Sequence, residues 1–221
     1  MTNLWLNDNN CYTRVDQYHR NIEKATVNFV KCEALGILVN EKYIVTAAHC
    51  IECDLSGGMT LGRVIIEEII TSDGKNLKVA AIAIEPVKDI ALLGSLDDQI
   101  YSEEGENFES FYERTKAVPI NLDELELGKR FPIHIYTHKG TWVKGHATHN
   151  IDWSATLLIE PDEPIECGTS GGPIINESGE LISIVSNINL VDGNQKQEGI
   201  APRPHLALPL WVSRRYLGLN L

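Results

Sequence analysis

A succession of short apolar segments separated by turn-forming residues is the feature that most restricts the fold of this chain. Many segments are rich in β-branched residues, and several alternate apolar with polar residues, which is typical of strands. Turn-forming pairs such as Asp73-Gly74 and Ser178-Gly179 separate them. The predicted strands are Val27–Cys32, Leu35–Val39, Tyr43–Thr46, Val64–Ile70, Leu77–Glu85, Ala91–Leu93, Phe131–Thr137, Trp142–His149, Ala155–Ile159, Pro173–Ile175, Leu181–Val185 and Ile200–Leu208. The sequence therefore predicts an all-β protein.

Length and charge narrow the class further. With 221 residues, of which 43% are hydrophobic, the chain can bury a core in one or two compact units. Two helices are predicted, at Val15–Lys24 and Leu210–Leu217. The 31 acidic residues outnumber the 19 basic ones, which argues against nucleic acid as a partner. No apolar run approaches eighteen residues and no basic-then-apolar leader begins the chain, so no membrane partner is expected.

Two short motifs and one acidic residue carry the chemistry. Residues 166–173 read ECGTSGGP and surround Ser170 with glycines, and residues 46–50 read TAAHC and contain His49. A serine hydroxyl becomes a useful nucleophile when a positioned imidazole takes its proton. Asp89 stands directly before an apolar run and is the candidate carboxylate that fixes the imidazole tautomer. His49, Asp89 and Ser170 are therefore predicted to be catalytic, as base, orienting acid and nucleophile.

The glycines around the serine predict an oxyanion hole. Gly168 permits a tight turn that aims its own N–H and that of Ser170 at the developing negative charge of a tetrahedral intermediate. Gly171 and Gly172 let backbone and substrate approach closely, because neither carries a Cβ atom. Gly168 and Ser170 are therefore the predicted oxyanion donors.

The order of the three residues separates known triad arrangements. Subtilisin-type triads begin with the acid and α/β-hydrolase triads begin with the serine, whereas this chain has the order His49, Asp89, Ser170. The ordered motifs, over about Ala25 to Leu217, resemble the chymotrypsin-like (trypsin-fold) serine peptidases, and are most similar to bacterial stress-protease and glutamyl-endopeptidase types. That resemblance implies two six-stranded antiparallel β-barrels with the active site in the cleft between them. It also implies hydrolysis of protein or peptide substrates through an acyl-enzyme, with no cofactor and no metal.

The same resemblance divides the chain. Residues 1–24 are expected to form an N-terminal extension, residues 25–110 a first barrel carrying His49 and Asp89, and residues 111–221 a second barrel carrying Ser170 and a C-terminal helix. The join is placed in the acidic run 97–118, which is predicted to be a solvated loop.

Two departures from the secreted branch of the family bear on control and location. Secreted members use an Asp before the serine to hold a newly cleaved N-terminus, and this chain has Thr169 there. Activation by N-terminal cleavage is therefore not expected, and the oxyanion hole is either preformed or switched by a partner or substrate. Leu35 aligns with the usual disulfide partner of Cys50, and the cysteine count of five is odd. These features predict a cytoplasmic enzyme, for which a partner in a bacterial defence or signalling system is one hypothesis.

The resemblance also locates the specificity pocket. The floor lies six residues before the serine, at Pro164 beside Ile165, and the walls are Ser186, Asn187 and Ile188 with the segment near Gly199. An apolar floor argues against Lys or Arg at the P1 position of the substrate and favours a small or medium apolar residue. The alternative is an acidic P1 residue bound by Arg203 or His205.

Other readings of the sequence remain open. A catalytically silent trypsin-fold module that binds a partner in the cleft, or along residues 97–118, is the alternative function. His134, His138, His146 and His149 lie on two neighbouring predicted strands, where surface positions are the commoner outcome. The spacing of Cys50 and Cys53 lacks the second Cys or His pair that a zinc site requires, so no metal is expected.

Overall fold

The computed structural model describes residues 9–40, 42–51, 65–97, 99–149, 155–191 and 196–219. Within these residues a closed six-stranded barrel is followed by a curled seven-stranded sheet, with four α-helices around them. The predicted all-β architecture of trypsin-fold type is confirmed. The second unit differs in detail, because its strand order is open and contains seven strands.

The first barrel holds the larger part of the hydrophobic core. Its strands are β1 (Thr26–Phe29), β2 (Leu35–Val39), β3 (Tyr43–Thr46), β4 (Ile66–Thr71), β5 (Asn76–Glu85) and β6 (Ile90–Gly94). Hydrogen bonds between antiparallel neighbours close the barrel in the order β1-β2-β3-β6-β5-β4. Every residue of β2 and β6 is buried. These two strands are continuous apolar runs because both of their faces are covered.

The second unit is an antiparallel sheet whose middle strands alternate in burial. Its strands are β7 (Arg130–Tyr136), β8 (Trp142–His149), β9 (Thr156–Pro161), β10 (Pro173–Ile175), β11 (Leu181–Ile184), β12 (Asn187–Val191) and β13 (Lys196–Pro202). The hydrogen-bonded order is β11-β10-β7-β8-β9-β13-β12. Along β8, Val143, Gly145 and Ala147 are buried, while Lys144 between them is exposed. This period of two puts the apolar face of the sheet on a second core.

Four helices accompany the strands. They are α1 (Asn9–Ala25), α2 (Ser102–Arg114), α3 (Pro204–Ala207) and α4 (Leu210–Arg215). The predicted N-terminal and C-terminal helices are therefore confirmed, with shifted ends. None of the helices in the described residues has the length and apolar character needed to span a bilayer.

Some segments differ from the prediction. The acidic run 97–118 is not a loop, because Gly105, Phe108 and Phe111 of α2 repeat at helical spacing and are buried. The predicted join between residues 110 and 111 falls inside this helix. Strand β12 was not predicted, and the predicted strand 200–208 ends at Pro202. Pro204 then begins α3, since proline lacks the N–H that a strand would use and suits a first helical turn.

Helix α1 ties the two β units together. Its residue Ile22 is 1% exposed and belongs to the core of the first barrel. On the second unit, the ring of His19 stacks on Trp142 with centroids 3.9 Å apart, and its Nε2 lies 2.9 Å from Nδ1 of His134. The indole N–H of Trp142 donates to Glu23 at 2.9 Å. The helix is thus held by both units.

Candidate active site

Neighbouring strands of the first barrel bring His49 and Asp89 together. Strands β3 and β6 are antiparallel partners, with Thr46 opposite Ala91. The end of β3 therefore meets the start of β6, where Ala48–Cys50 forms a single 3₁₀ turn and Asp89 precedes the strand. Asp89 has a φ of 53°, in the left-handed region that aspartate tolerates better than most residues. This uncommon backbone conformation therefore occurs at a residue of the candidate site.

The carboxylate of Asp89 accepts three hydrogen bonds. The ring Nδ1 of His49 lies 2.8 Å from Oδ2, and the backbone N–H of His49 donates to Oδ1 at 2.9 Å. The hydroxyl of Ser186, predicted only as a pocket wall, also donates to Oδ2. Ser186 comes from the second unit, so this contact joins the two halves of the site. Its role was missed because nothing local in the sequence links residues so far apart.

These contacts shift both pKa values. The hydrogen bond to Asp89, assisted by Cys50, raises the pKa of His49 to about 10. Burial raises the pKa of Asp89, but hydrogen bonds from His49 and Ser186 outweigh that effect and hold it below the usual value. The imidazole is half exposed, so water screens the carboxylate charge. The pair is arranged to favour a charged carboxylate beside an imidazolium.

Backbone hydrogen bonds fix the turn that carries Ser170. The carbonyl of Ser170 accepts from the N–H of Leu35 at 2.8 Å, and the carbonyl of Thr169 accepts from Gly172 at 2.8 Å. Because the two groups of a trans peptide point in opposite directions, the N–H of Ser170 is directed away from Gly172. Gly168 has a φ of 95°, which favours glycine, as the predicted tight turn requires.

A cleft of about 770 Å³ contains all three predicted catalytic residues. His49, Asp89 and Ser170 line it together with the predicted pocket residues Ile165, Ser186, Asn187 and Ile188. Among the remaining lining residues are Val185 and Gln197, which were not predicted. The side-chain amide of Gln197 bonds both the N–H and the carbonyl of Ile165. Gln197 therefore holds the wall residue Ile165 in place.

Two predicted pocket residues lie off the cleft lining. Pro164 lines a neighbouring cavity with Arg130 and Glu163. Gly199 pairs with Ile188 in the sheet, and a Cβ added to it would lie 2.8 Å from the Ile188 side chain. Gly199 thus packs against Ile188, and Ile188 supplies the apolar surface that faces the cleft.

The residues proposed for an acidic substrate are buried. Arg203 is 2% exposed and donates to the carbonyl of Asp123 at 2.9 Å, and His205 is 4% exposed. Neither lines the cleft. Their burial away from the cleft removes the support for an acidic P1 residue.

The four histidines of the second unit do not gather into one cluster. His134 is half-buried and pairs with His19, and His138 lies in the turn after β7 beside Thr169. His149 is buried and bonds the carbonyl of Leu125. In the part of the chain that the structure describes, no three His, Cys, Asp or Glu side chains are placed to hold a metal ion. Cys53 lies outside the described residues.

Comparison with known proteins identifies the family. The family model for the trypsin-like peptidase domain matches residues 34–184. The chain belongs to the trypsin-like peptidases. The predicted resemblance to this family is therefore confirmed. No curated protein matches the sequence at a significant level.

Solved structures agree with this fold. The serine endoprotease from Yersinia pestis superposes with a TM-score of 0.56 at 18% identity, over 87% of this chain and 63% of that one. This trypsin-like peptidase thus spans less than two thirds of the Yersinia chain. An inactive serine-to-alanine form of Rv3671c from Mycobacterium tuberculosis superposes with a TM-score of 0.52 at 15% identity, over 86% and 85% of the two chains. At these identities the likeness concerns the fold.

Proposed function

We propose that His49, Asp89 and Ser170 form the catalytic triad of this peptidase and that the enzyme cuts protein substrates. The observation that carries the proposal is the 2.8 Å contact between His49 Nδ1 and Asp89 in the cleft that also contains Ser170. Asp89 keeps a proton on Nδ1, so Nε2 carries the lone pair that a general base needs. The active form is the neutral imidazole, whose fraction increases with pH.

The reaction follows from these roles. Nε2 of His49 takes the hydroxyl proton of Ser170 as the serine oxygen attacks the carbonyl carbon of the substrate. The N–H groups of Gly168 and Ser170 stabilise the oxyanion of the tetrahedral intermediate. His49 then returns the proton to the leaving amine, and an acyl-enzyme remains. Water, deprotonated by His49, attacks the acyl group, and His49 returns that proton to the Ser170 oxygen as the acyl–oxygen bond breaks.

The cleft favours an apolar P1 residue of small or medium size. Ile165, Val185 and Ile188 supply apolar surface beside Ser170. Glu166 also lines the cleft, but its exposed carboxylate pairs with Lys139. This carboxylate is therefore already paired, and it is not buried at the bottom of the pocket as an acidic floor residue would be. Cleavage after Lys or Arg is thus disfavoured. Cleavage-site profiling with a proteome-derived peptide library tests this preference, and dominant Lys or Arg at P1 would contradict it.

Control and location form a further part of the proposal. We propose that substrate or a partner protein completes the oxyanion turn, because Thr169 offers no carboxylate for a cleaved N-terminus. Among the described residues Cys50 and Cys167 are free thiols, which supports a cytoplasmic enzyme. A bacterial defence or signalling system is the proposed setting. Rapid stoichiometric labelling of Ser170 by a small fluorophosphonate in the isolated chain would contradict the need for activation.

Comparison of the wild type with Ser170→Ala tests the catalytic proposal. We expect the wild type to hydrolyse library peptides and the variant to lose hydrolysis while it still binds substrate. A catalytically silent binding module would give no hydrolysis in either protein, with or without partner, and that result would refute the triad. Co-purification with Ser170→Ala from native cells identifies trapped substrates and any partner.

A further inference from the structure

The turn between β7 and β8 contacts the loop that carries the reactive serine. Nδ1 of His138 lies 3.1 Å from the hydroxyl of Thr169, the residue before Ser170. Thr169 is 1% exposed, so water does not compete for this hydrogen bond. The neighbouring pair of Lys139 and Glu166 also joins the turn to the loop, but their side chains are 55% and 61% exposed. The His138 contact is therefore the interior one.

The imidazole of His138 also limits the space around Gly168. A Cβ atom added to Gly168 would lie 3.2 Å from Cγ of His138 and 3.2 Å from Cβ of Glu33. Both side chains thus crowd Gly168, which has a φ of 95°. The ring of His138 therefore packs against Gly168, the first predicted oxyanion donor. The same ring is hydrogen-bonded to Thr169, which separates Gly168 from Ser170, the second donor.

The position of the turn between β7 and β8 is set by packing at the ends of these two strands. Tyr136, the last residue of β7, has its ring centroid 5.1 Å from that of Trp142, the first residue of β8. Trp142 is in turn stacked on His19 and bonded to Glu23 of α1. Across the turn, Thr137 donates its N–H to the carbonyl of Thr141 at 2.9 Å. His138 therefore projects from a hairpin whose position is set by packing against α1.

We propose that His138 is a positioning residue that holds the Gly168–Thr169 segment in the orientation needed for oxyanion stabilisation. The inference rests on the proposed function. The side chain of Thr169 is held by His138 and its carbonyl by Gly172, so the segment is fixed at two points. Loss of the first contact leaves a buried hydroxyl without its partner and frees the segment to rotate. Such rotation lowers transition-state stabilisation and leaves the binding of the substrate side chain unchanged.

The test measures kcat and KM for a fluorogenic peptide in a set of matched variants. We expect His138→Ala and Thr169→Val each to lower kcat about tenfold, with KM within about twofold of wild type. His138→Asn and Thr169→Ser each keep a group able to hydrogen-bond and should retain kcat within about threefold. Because the two single changes remove one contact, the double variant should be no slower than either. Lys139→Ala removes an exposed ion pair in the same turn and should change kcat less than about twofold.

Each outcome has one meaning. A kcat of His138→Ala equal to wild type, or a change in KM alone, would overturn the inference. If thermal melting shows that His138→Ala is unfolded, the kcat of Thr169→Val is compared with that of Thr169→Ser. Equal kcat values would refute the role of the contact. Labelling of Ser170 by a peptidyl diphenyl phosphonate separates the two proposals. Failure to label the wild type, both alone and with the partner recovered by Ser170→Ala co-purification, overturns both, whereas a labelled wild type with unaffected variants overturns only the role of His138.

Discussion

Acidification from pH 7 to pH 5 should destabilise the protein through the buried imidazole of His205. This side chain lies in α3, is 4% exposed, and has no hydrogen-bond partner for Nδ1 in the structure as described. Burial, and then the positive charge of Arg203, lower the pKa of His205 from 6.5 to about 4. The unfolded chain therefore binds this proton at a higher pH than the folded chain. Stability that is present above pH 6.5 is lost as the pH falls towards 4.

The size of the effect follows from the two pKa values. Between pH 7 and pH 5 the unfolded imidazole takes up about 0.7 of a proton and becomes almost fully charged while the folded one stays neutral, which costs about 2 kcal/mol of unfolding free energy. The shift of His49 has the opposite sign, because its folded pKa is raised. Its contribution is lost as the pH rises above 6.5, so acidification from pH 7 recovers a part of it that is equal in any two proteins that both contain His49.

Urea unfolding of the wild type and His205→Phe, each at both pH values, measures this term. Phenylalanine keeps a planar ring but cannot be protonated. We expect the wild type to lose about 2 kcal/mol more than the variant on acidification. Burial also lowers the pKa of His134, with help from Lys144, but that residue is present in both proteins and its effect cancels. Parallel pH profiles for the two proteins would refute the reasoning.

Other predictions concern the site and its turn. Because the pKa of His49 is raised, the acid limb of kcat/KM should lie above pH 6.5, and a midpoint at or below that value in a pH–rate profile would contradict it. Gly171→Ala should cost about 2–4 kcal/mol of unfolding free energy, since its Cβ would lie 1.9 Å from a carbonyl oxygen of β2 at a φ of 77°. Gly74→Ala, with a φ of 81° and no atom nearby, should cost only about 1 kcal/mol in the same urea titration. A thiol reagent should inhibit the enzyme through Cys167, which is exposed and lines the cleft, and Cys167→Ser should resist it in a peptide-cleavage assay.

Local patterns predicted the features that depend on neighbouring residues. The bounds of Leu35–Val39, Tyr43–Thr46, Trp142–His149 and Pro173–Ile175 are correct, because β-branched runs end at turn-forming pairs. The positive φ of Gly168 likewise follows from the motif around it. The motifs were enough to predict that His49, Asp89 and Ser170 share a cleft.

Features that depend on register across long distances were not predictable. Helix α2 was missed because its many acidic residues indicated a solvated loop. Its two phenylalanines are buried only once the first barrel has folded. Pro164 lies off the cleft and the unpredicted Gln197 lines it, because strand pairing decides which side of the loop faces the cleft. The contact between His138 and Thr169 spans 31 residues and depends on where the β7–β8 hairpin ends.

The docking of α1 on the second sheet also sets an order in which the enzyme can mature during synthesis. Helix α1 emerges from the ribosome before both β units, yet His19 contacts His134 and Glu23 contacts Trp142 across separations of 115 and 119 residues. The helix therefore cannot pack on the second sheet until most of the chain has been synthesised, and contacts of such long range form late. Ser170 is made later still. A nascent chain thus carries His49 and Asp89 before Ser170, and the proposed triad is complete only after both units exist.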